Sequence, residues 1–334
     1  MTVAATGPIV GVVGCGVTGS RVVGHLLSRG LRVAVYDPQP SIGLRRQGVV
    51  PVESVDDLSV CDLVALCQPT PHVGLAERLL GHRTPVVSLG DDLDDLRALL
   101  ALQPLAAERG TSVVVGAGMA PGLSGLLARS LAGQLHHVDE LHVAIHGTAG
   151  PACARQHHDA LGDTALGWHD DEWIEPPGGS GRDLVWFPEP IGAHDCYRAA
   201  VGDPLLLHRA FPEAGRIAAR VSATRRDRMT ARLPMLTPPH ASGSLGAVRV
   251  EARGAGPSGE RVTVIAGAAG HTGDLAAAVC ATTVLRLLAT AGTLPGGVYT
   301  TGDTALAPLD LLHHATTLGV KVQEFTGVAR ATSW

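Results

Sequence analysis

The sequence predicts an α/β protein whose first 120 residues form a doubly wound parallel sheet. Two observations carry this. Short apolar or β-branched runs alternate with amphipathic helical patterns. A glycine-rich turn, Gly14-Cys15-Gly16-Val17-Thr18-Gly19, joins the first run to the first helical pattern.

The elements follow in order along the chain. Strands are expected at 9–13, 32–36, 63–67, 86–89 and 112–115, with a shorter one at 48–52 ahead of Asp56-Asp57. Helical patterns fall at 18–29, 73–80 and 93–109. A helix at 123–132 and a strand at 140–146 come next. Between 147 and 239 Gly, Pro, His and Trp are frequent and the reading is irregular. Residues 247–253 and 260–267 read as strands paired around a Gly-Pro-Ser-Gly turn. A long apolar helix at 274–291, a strand beginning at Val298 and a helix at 306–318 complete the chain.

Each part of the glycine turn has a physical role in dinucleotide binding. Gly14 permits the tight turn out of the strand, Gly16 lets the backbone approach a pyrophosphate, and Gly19 lets the helix pack closely. The helix N-terminus offers N–H groups and a positive dipole end to the phosphates. Asp37 closes the second strand, where a carboxylate accepts from a ribose and repels a 2′-phosphate. That favours NAD; Arg45-Arg46 would accommodate NADP instead. Ligands in such sheets bind beyond the carboxyl ends of the strands. Gln68-Pro69-Thr70-Pro71, 88–92 with Asp91, and 116–122 with Gly118, Met119 and Pro121 are therefore the cofactor and substrate loops.

Composition narrows the partners. A net charge of −5 with no basic run argues against nucleic acid. Gly, Pro, His or charged residues interrupt every apolar run, so no membrane span is expected. The N-terminus lacks the layout of a signal peptide, and six scattered cysteines without a C-x-x-C pair fit free thiols in a cytoplasm. Lys321 is the one lysine among 26 basic residues, against 16 histidines. Arg is not deprotonated in proteins, so proton transfer falls to His, Asp, Glu, Tyr or Cys.

Three segments together resemble the saccharopine dehydrogenase family in its broad, short-chain form: the N-terminal unit, the strand–helix–strand at 86–132 with its turn Gly116-Ala117-Gly118-Met119-Ala120-Pro121-Gly122-Leu123-Ser124, and residues 262–319. The resemblance implies a Rossmann domain (1–122), a second α/β domain with a mixed sheet for substrate and dimerisation (123–300), and a C-terminal segment (301–334) returning to the first domain. It implies an NAD(P)-dependent oxidoreductase acting on the C–N bond of an amino-acid-like substrate, as a homodimer. Residues 150–240 and the near absence of Lys depart from the family, which points to a relative in secondary metabolism. A nucleotide-binding sensor or scaffold on the same fold, and a homoserine-dehydrogenase-type enzyme, are the alternatives.

Pro121 suits the first turn of the helix at 123–132. Candidate acid/base residues are His146, His157, His158 and Tyr197, with Asp195 and the cluster after His169 as rivals. Arg155, Arg182, Arg198 or Arg225 would fork onto a substrate carboxylate. No metal site is expected: neighbouring His157 and His158 point apart, and no H-E-x-x-H or cysteine-rich spacing occurs. No G-x-S-x-G elbow supports a serine hydrolase.

Overall fold

The computed structural model describes residues 7–39, 48–236 and 238–325. Among them two sheets form. Strands β1 (Ile9–Val13), β2 (Arg32–Tyr36), β3 (Val49–Pro51), β4 (Leu63–Leu66), β5 (Val86–Ser88) and β6 (Ser112–Val115) are parallel, in the spatial order β6-β5-β4-β1-β2-β3. The order reverses between β1 and β4, and ligands bind at such a switch point. Both faces of this sheet are covered, which is why strands such as Leu63–Leu66 are apolar throughout rather than alternating.

The helices linking these strands are α1 (Gly19–Ser28), α2 (Val73–Gly81), α3 (Leu93–Leu100) and α4 (Gln103–Arg109). The single helix expected at 93–109 is therefore two. Pro104 stands in the first turn of α4, where its missing N–H is tolerated; continuing α3 through it would forfeit a backbone bond. Helix α5 (Leu123–Ala132) then leads into the second sheet.

That sheet is mixed. Its strands are β7 (His137–His146), β8 (Gly167–His169), β9 (Glu172–Ile174), β10 (Asp183–Phe187), β11 (Gly192–Arg198), β12 (Arg216–Ser222), β13 (Leu245–Ala255) and β14 (Arg261–His271). Helices α6 (Pro151–Ala160), α7 (Asp203–Ala210) and α8 (Arg225–Thr230) are interspersed. The stretch expected to be irregular is thus largely ordered. Its strands are short and mix polar with apolar residues on both faces, as in Gly-Ala-His-Asp-Cys-Tyr-Arg of β11, so no regular period marks them. The inner face of the sheet packs on α5 and α7, through Val143, Ile145, Ile217 and Val221.

Helix α9 (Thr272–Ala289) begins and ends two residues before the expected 274–291. It is long and apolar enough to cross a membrane, contrary to the expectation that no segment would be, yet 72% of it is buried in the core. It packs on α1, on α10 (Pro308–Thr317) and on β4 and β5. Leu275, Val279, Val284 and Leu287 are buried there, each contributing about 1.5–3 kcal/mol. The terminal helix begins at Pro308 rather than 306, because Ala307 takes a left-handed conformation at φ +52°.

Strand β15 (Gly297–Thr300) pairs with β6 in the first sheet, and β16 (Val322–Glu324) pairs with β14 in the second. Strand pairing therefore crosses the boundary drawn at residue 300 in both directions.

Candidate active site

The cleft lies between the carboxyl ends of the first sheet and the start of α6. Its volume is about 410 Å³. One wall is the glycine turn. Gly14 has φ +84°, and a Cβ there would press on the Gln68 backbone nitrogen. A Cβ on Gly19 would overlap the Gly14 carbonyl oxygen. Around Gly16, by contrast, nothing stands within 4 Å of a Cβ, so the turn presents open backbone to the cleft. The residues fit a dinucleotide pyrophosphate on this observation. Asp37 sits behind the turn: its carboxylate accepts from the Cys15 N–H at 2.6 Å and the Gln39 N–H at 2.9 Å. Arg45 and Arg46 lie outside the described residues.

The second wall is the loop of Gln68, Pro69 and Thr70. Buried His72, overlooked in the sequence, holds this loop. Its Nε2–H donates to the Gln68 carbonyl at 2.8 Å, which leaves Nδ1 to accept from the Ser88 hydroxyl at 2.8 Å. Burial lowers the His72 pKa and favours this neutral ring. Both Asp95 carboxylate oxygens accept from the His72 backbone N–H at 2.9 Å.

Gly118, Met119 and Pro121 form the third side. Pro121 is not in the helix's first turn as expected. Helix α5 starts at Leu123, Gly122 caps it at φ +137°, and the Ala120–Pro121 bond is cis. A Cβ on Gly122 would run into the Gly118 backbone, so the turn closes on itself, with Gly118 N–H donating to the Pro121 carbonyl at 3.0 Å.

Helix α6 closes the cleft. Pro151 occupies its first turn, and residues four apart share a face. This brings Cys153 and His157 together at 3.8 Å between Sγ and Nε2. Asp91, from the loop after β5, places Oδ2 at 3.5 Å from His157 Nε2 and 3.9 Å from Cys153 Sγ. Burial penalises the imidazolium, but the facing Cys153 and Asp91 outweigh it and hold the His157 pKa well above its ordinary value. Arg155, two residues from both Cys153 and His157 on α6, is exposed at the cleft and makes no ion pair among the described residues. Asp203 is buried at the start of α7, where burial pushes its carboxyl up to about 6 against the opposing pull of the Ser124 hydroxyl.

Of the residues singled out in the sequence, the cleft thus gathers Gly16, Val17, Thr18, Gln68, Pro69, Thr70, Asp91, Gly118, Met119, Pro121, Arg155 and His157. The other acid/base and carboxylate-binding candidates fall elsewhere, with Arg182, Asp195 and Arg225 in the separate cavity that His146 lines. His146 points to the outer face of the second sheet, where Nδ1 meets the Ser222 hydroxyl at 2.8 Å and burial lowers its pKa to about 4. His158 is buried with Nε2 at 3.0 Å from the Leu233 carbonyl, because adjacent helical residues diverge by about 100°. Tyr197 is buried beneath the Arg228 guanidinium, and Arg198 lies against Gly181. Cys153 was read only as a free thiol; its spacing of four from His157 was the available signal. Asp91, Cys153 and His157 converge, with their ligand atoms within 4.8 Å of one another.

Comparison with solved structures gives the fold. An apo saccharopine dehydrogenase (L-Glu forming) from Saccharomyces cerevisiae superposes with a TM-score of 0.68 at 14% identity, covering 96% of this chain and 100% of that one. The fold is that of saccharopine dehydrogenase. A meso-dapdh mutant with DAP from Clostridium tetani E88 matches with a TM-score of 0.51 at 13% identity, over 90% of this chain and 96% of that one. No family model matches the chain, and no curated protein does.

Proposed function

We propose that the protein is an NAD(P)-dependent oxidoreductase acting on the C–N bond, amine or imine, of an amino-acid-like substrate. One observation carries the reading: an open glycine cradle and the Asp91–Cys153–His157 set line a single cleft. Bound nicotinamide supplies the hydride chemistry. Gly16, Val17 and Thr18 would hold the pyrophosphate, and Asp37 would select NAD over NADP. Thr70, Gly118 and Met119 would line the nicotinamide end. His157 holds or moves the proton at the substrate nitrogen through Nε2. Arg155 takes a substrate carboxylate. The likeness to an L-Glu-forming saccharopine dehydrogenase supports the C–N assignment.

The same reading places a homodimer at the edge of the second sheet. Edge strand β10 leaves Leu184 and Trp186 exposed there, the apolar side chains a partner copy would cover, while the cluster of Val185, Phe187 and Cys196 is buried within the one chain.

The test is fluorescence titration with NADH and NADPH, followed by cofactor turnover against a panel of amino acids, secondary amines and imines. Binding with turnover on an amine or imine supports the proposal. Tight binding without turnover on any amine, imine or alcohol would make the protein a nucleotide sensor instead.

A further inference from the structure

We propose that Asp91, Cys153 and His157 form a three-ligand Zn²⁺ site whose fourth position opens on the cleft. The separations are 3.5 Å between Asp91 Oδ2 and His157 Nε2, 3.8 Å between His157 Nε2 and Cys153 Sγ, and 3.9 Å between Cys153 Sγ and Asp91 Oδ2. Zinc bonds of about 2.0–2.3 Å in a tetrahedron require ligand atoms about 3.3–3.6 Å apart. The triangle needs to contract by only a few tenths of an ångström, within reach of small torsions.

The placement is built from two elements. Cys153 and His157 share one face of α6, and Asp91 reaches them from the loop after β5. His157 is buried and Cys153 and Asp91 are partly so. A carboxylate and a thiolate together cancel the charge of a dication, which matters where an unbalanced charge would be costly. The mixed S, N, O donor set suits zinc; magnesium and calcium take oxygen ligands. Three protein ligands with an open side are also the pattern of zinc sites that bind a further molecule, rather than of closed structural sites.

Ligation commits the lone pair of His157 Nε2. A bound ion and the proton role of His157 therefore exclude each other, and this consequence alone rests on the function proposed above.

The experiment titrates EDTA-treated protein with Co²⁺ and then displaces it with Zn²⁺. One equivalent is expected, with the visible bands of tetrahedral cobalt and a near-ultraviolet thiolate-to-cobalt band. Cys153→Ser should abolish the thiolate band. Asp91→Asn should weaken binding about tenfold or more, since losing even an outer-shell partner costs that much. Thermal melts of the metal-free variants confirm folding, and the two variants report independently. Failure to take up either ion at micromolar concentration overturns the site, as does a thiolate band that persists in Cys153→Ser. NADH turnover is followed in parallel with and without Zn²⁺. Uptake that leaves turnover unchanged supports the site and removes His157 from proton transfer. Turnover that never takes up metal does the opposite.

Discussion

His157 Nε2 and Asp91 Oδ2 stand 3.5 Å apart, joining the helix that opens the second sheet to a loop of the first. The proposed function requires that meeting, because the glycine turn and Asp91 belong to the first sheet while Cys153 and His157 come from α6. His157→Gln keeps a polar group of similar reach but cannot exchange a proton. Turnover should fall about 10²–10⁴-fold while NADH affinity stays within a factor of about two. Equal loss of binding and turnover would mean that His157 shapes the cleft rather than moves a proton.

The glycine turn separates binding from folding. Gly16→Val adds atoms into open space, so the melting temperature should hold while NADH affinity falls about tenfold or more, about 1.4 kcal/mol. Gly19→Ala forces a Cβ into the Gly14 carbonyl and should lower the melting temperature outright. Thermal melts with and without NADH distinguish the two.

Asp37 already uses an oxygen to hold the Cys15 N–H. Asp37→Asn removes the negative charge and should shift the ratio of the NADH and NADPH dissociation constants toward NADPH. An unchanged ratio would remove Asp37 from cofactor choice.

Asp203 makes a pH-dependent prediction. Its folded pKa is raised by burial from 3.8 to about 6. The folded state therefore holds the proton through a window in which the unfolded state has lost it. Stability falls as pH rises from about 4 to about 6, and the loss is complete above that, on the order of 3 kcal/mol. Asp203→Asn lacks this decline. Urea unfolding at pH 4 and pH 7 should show the variant gaining about 2–3 kcal/mol relative to wild type between the two. Parallel pH profiles would refute it.

Edge strand β10 gives the last prediction. Sedimentation at micromolar concentration should show two copies of the chain. Trp186→Arg, at an exposed apolar position of β10, should shift the equilibrium to monomer while the melting temperature holds. A monomeric wild type would overturn the assignment.

The first sheet was legible in the chain because it is buried on both faces. Runs such as Val-Val-Val at 113–115 have no solvent side to satisfy, and the spacing of Gly14, Gly16 and Gly19 is readable within six residues, although the contact that demands Gly14 comes from the Gln68 backbone. The cofactor wall followed from the same local rules. The second sheet was harder to read because its strands between 147 and 239 are short: β12 alternates mostly polar outer positions with apolar inner ones over seven residues, while β11 buries neighbouring Cys196 and Tyr197 and shows no such period. The titratable set could not be chosen at all by local rules. His146, His157 and His158 are equivalent as sequence. Only the packing of α6 against the loop at Asp91 turns one imidazole into the cleft, sends its neighbour to the Leu233 carbonyl, and leaves the third on the far face of the sheet. Periodicity places a residue on a face of its own element; which element that face meets is decided by long-range burial.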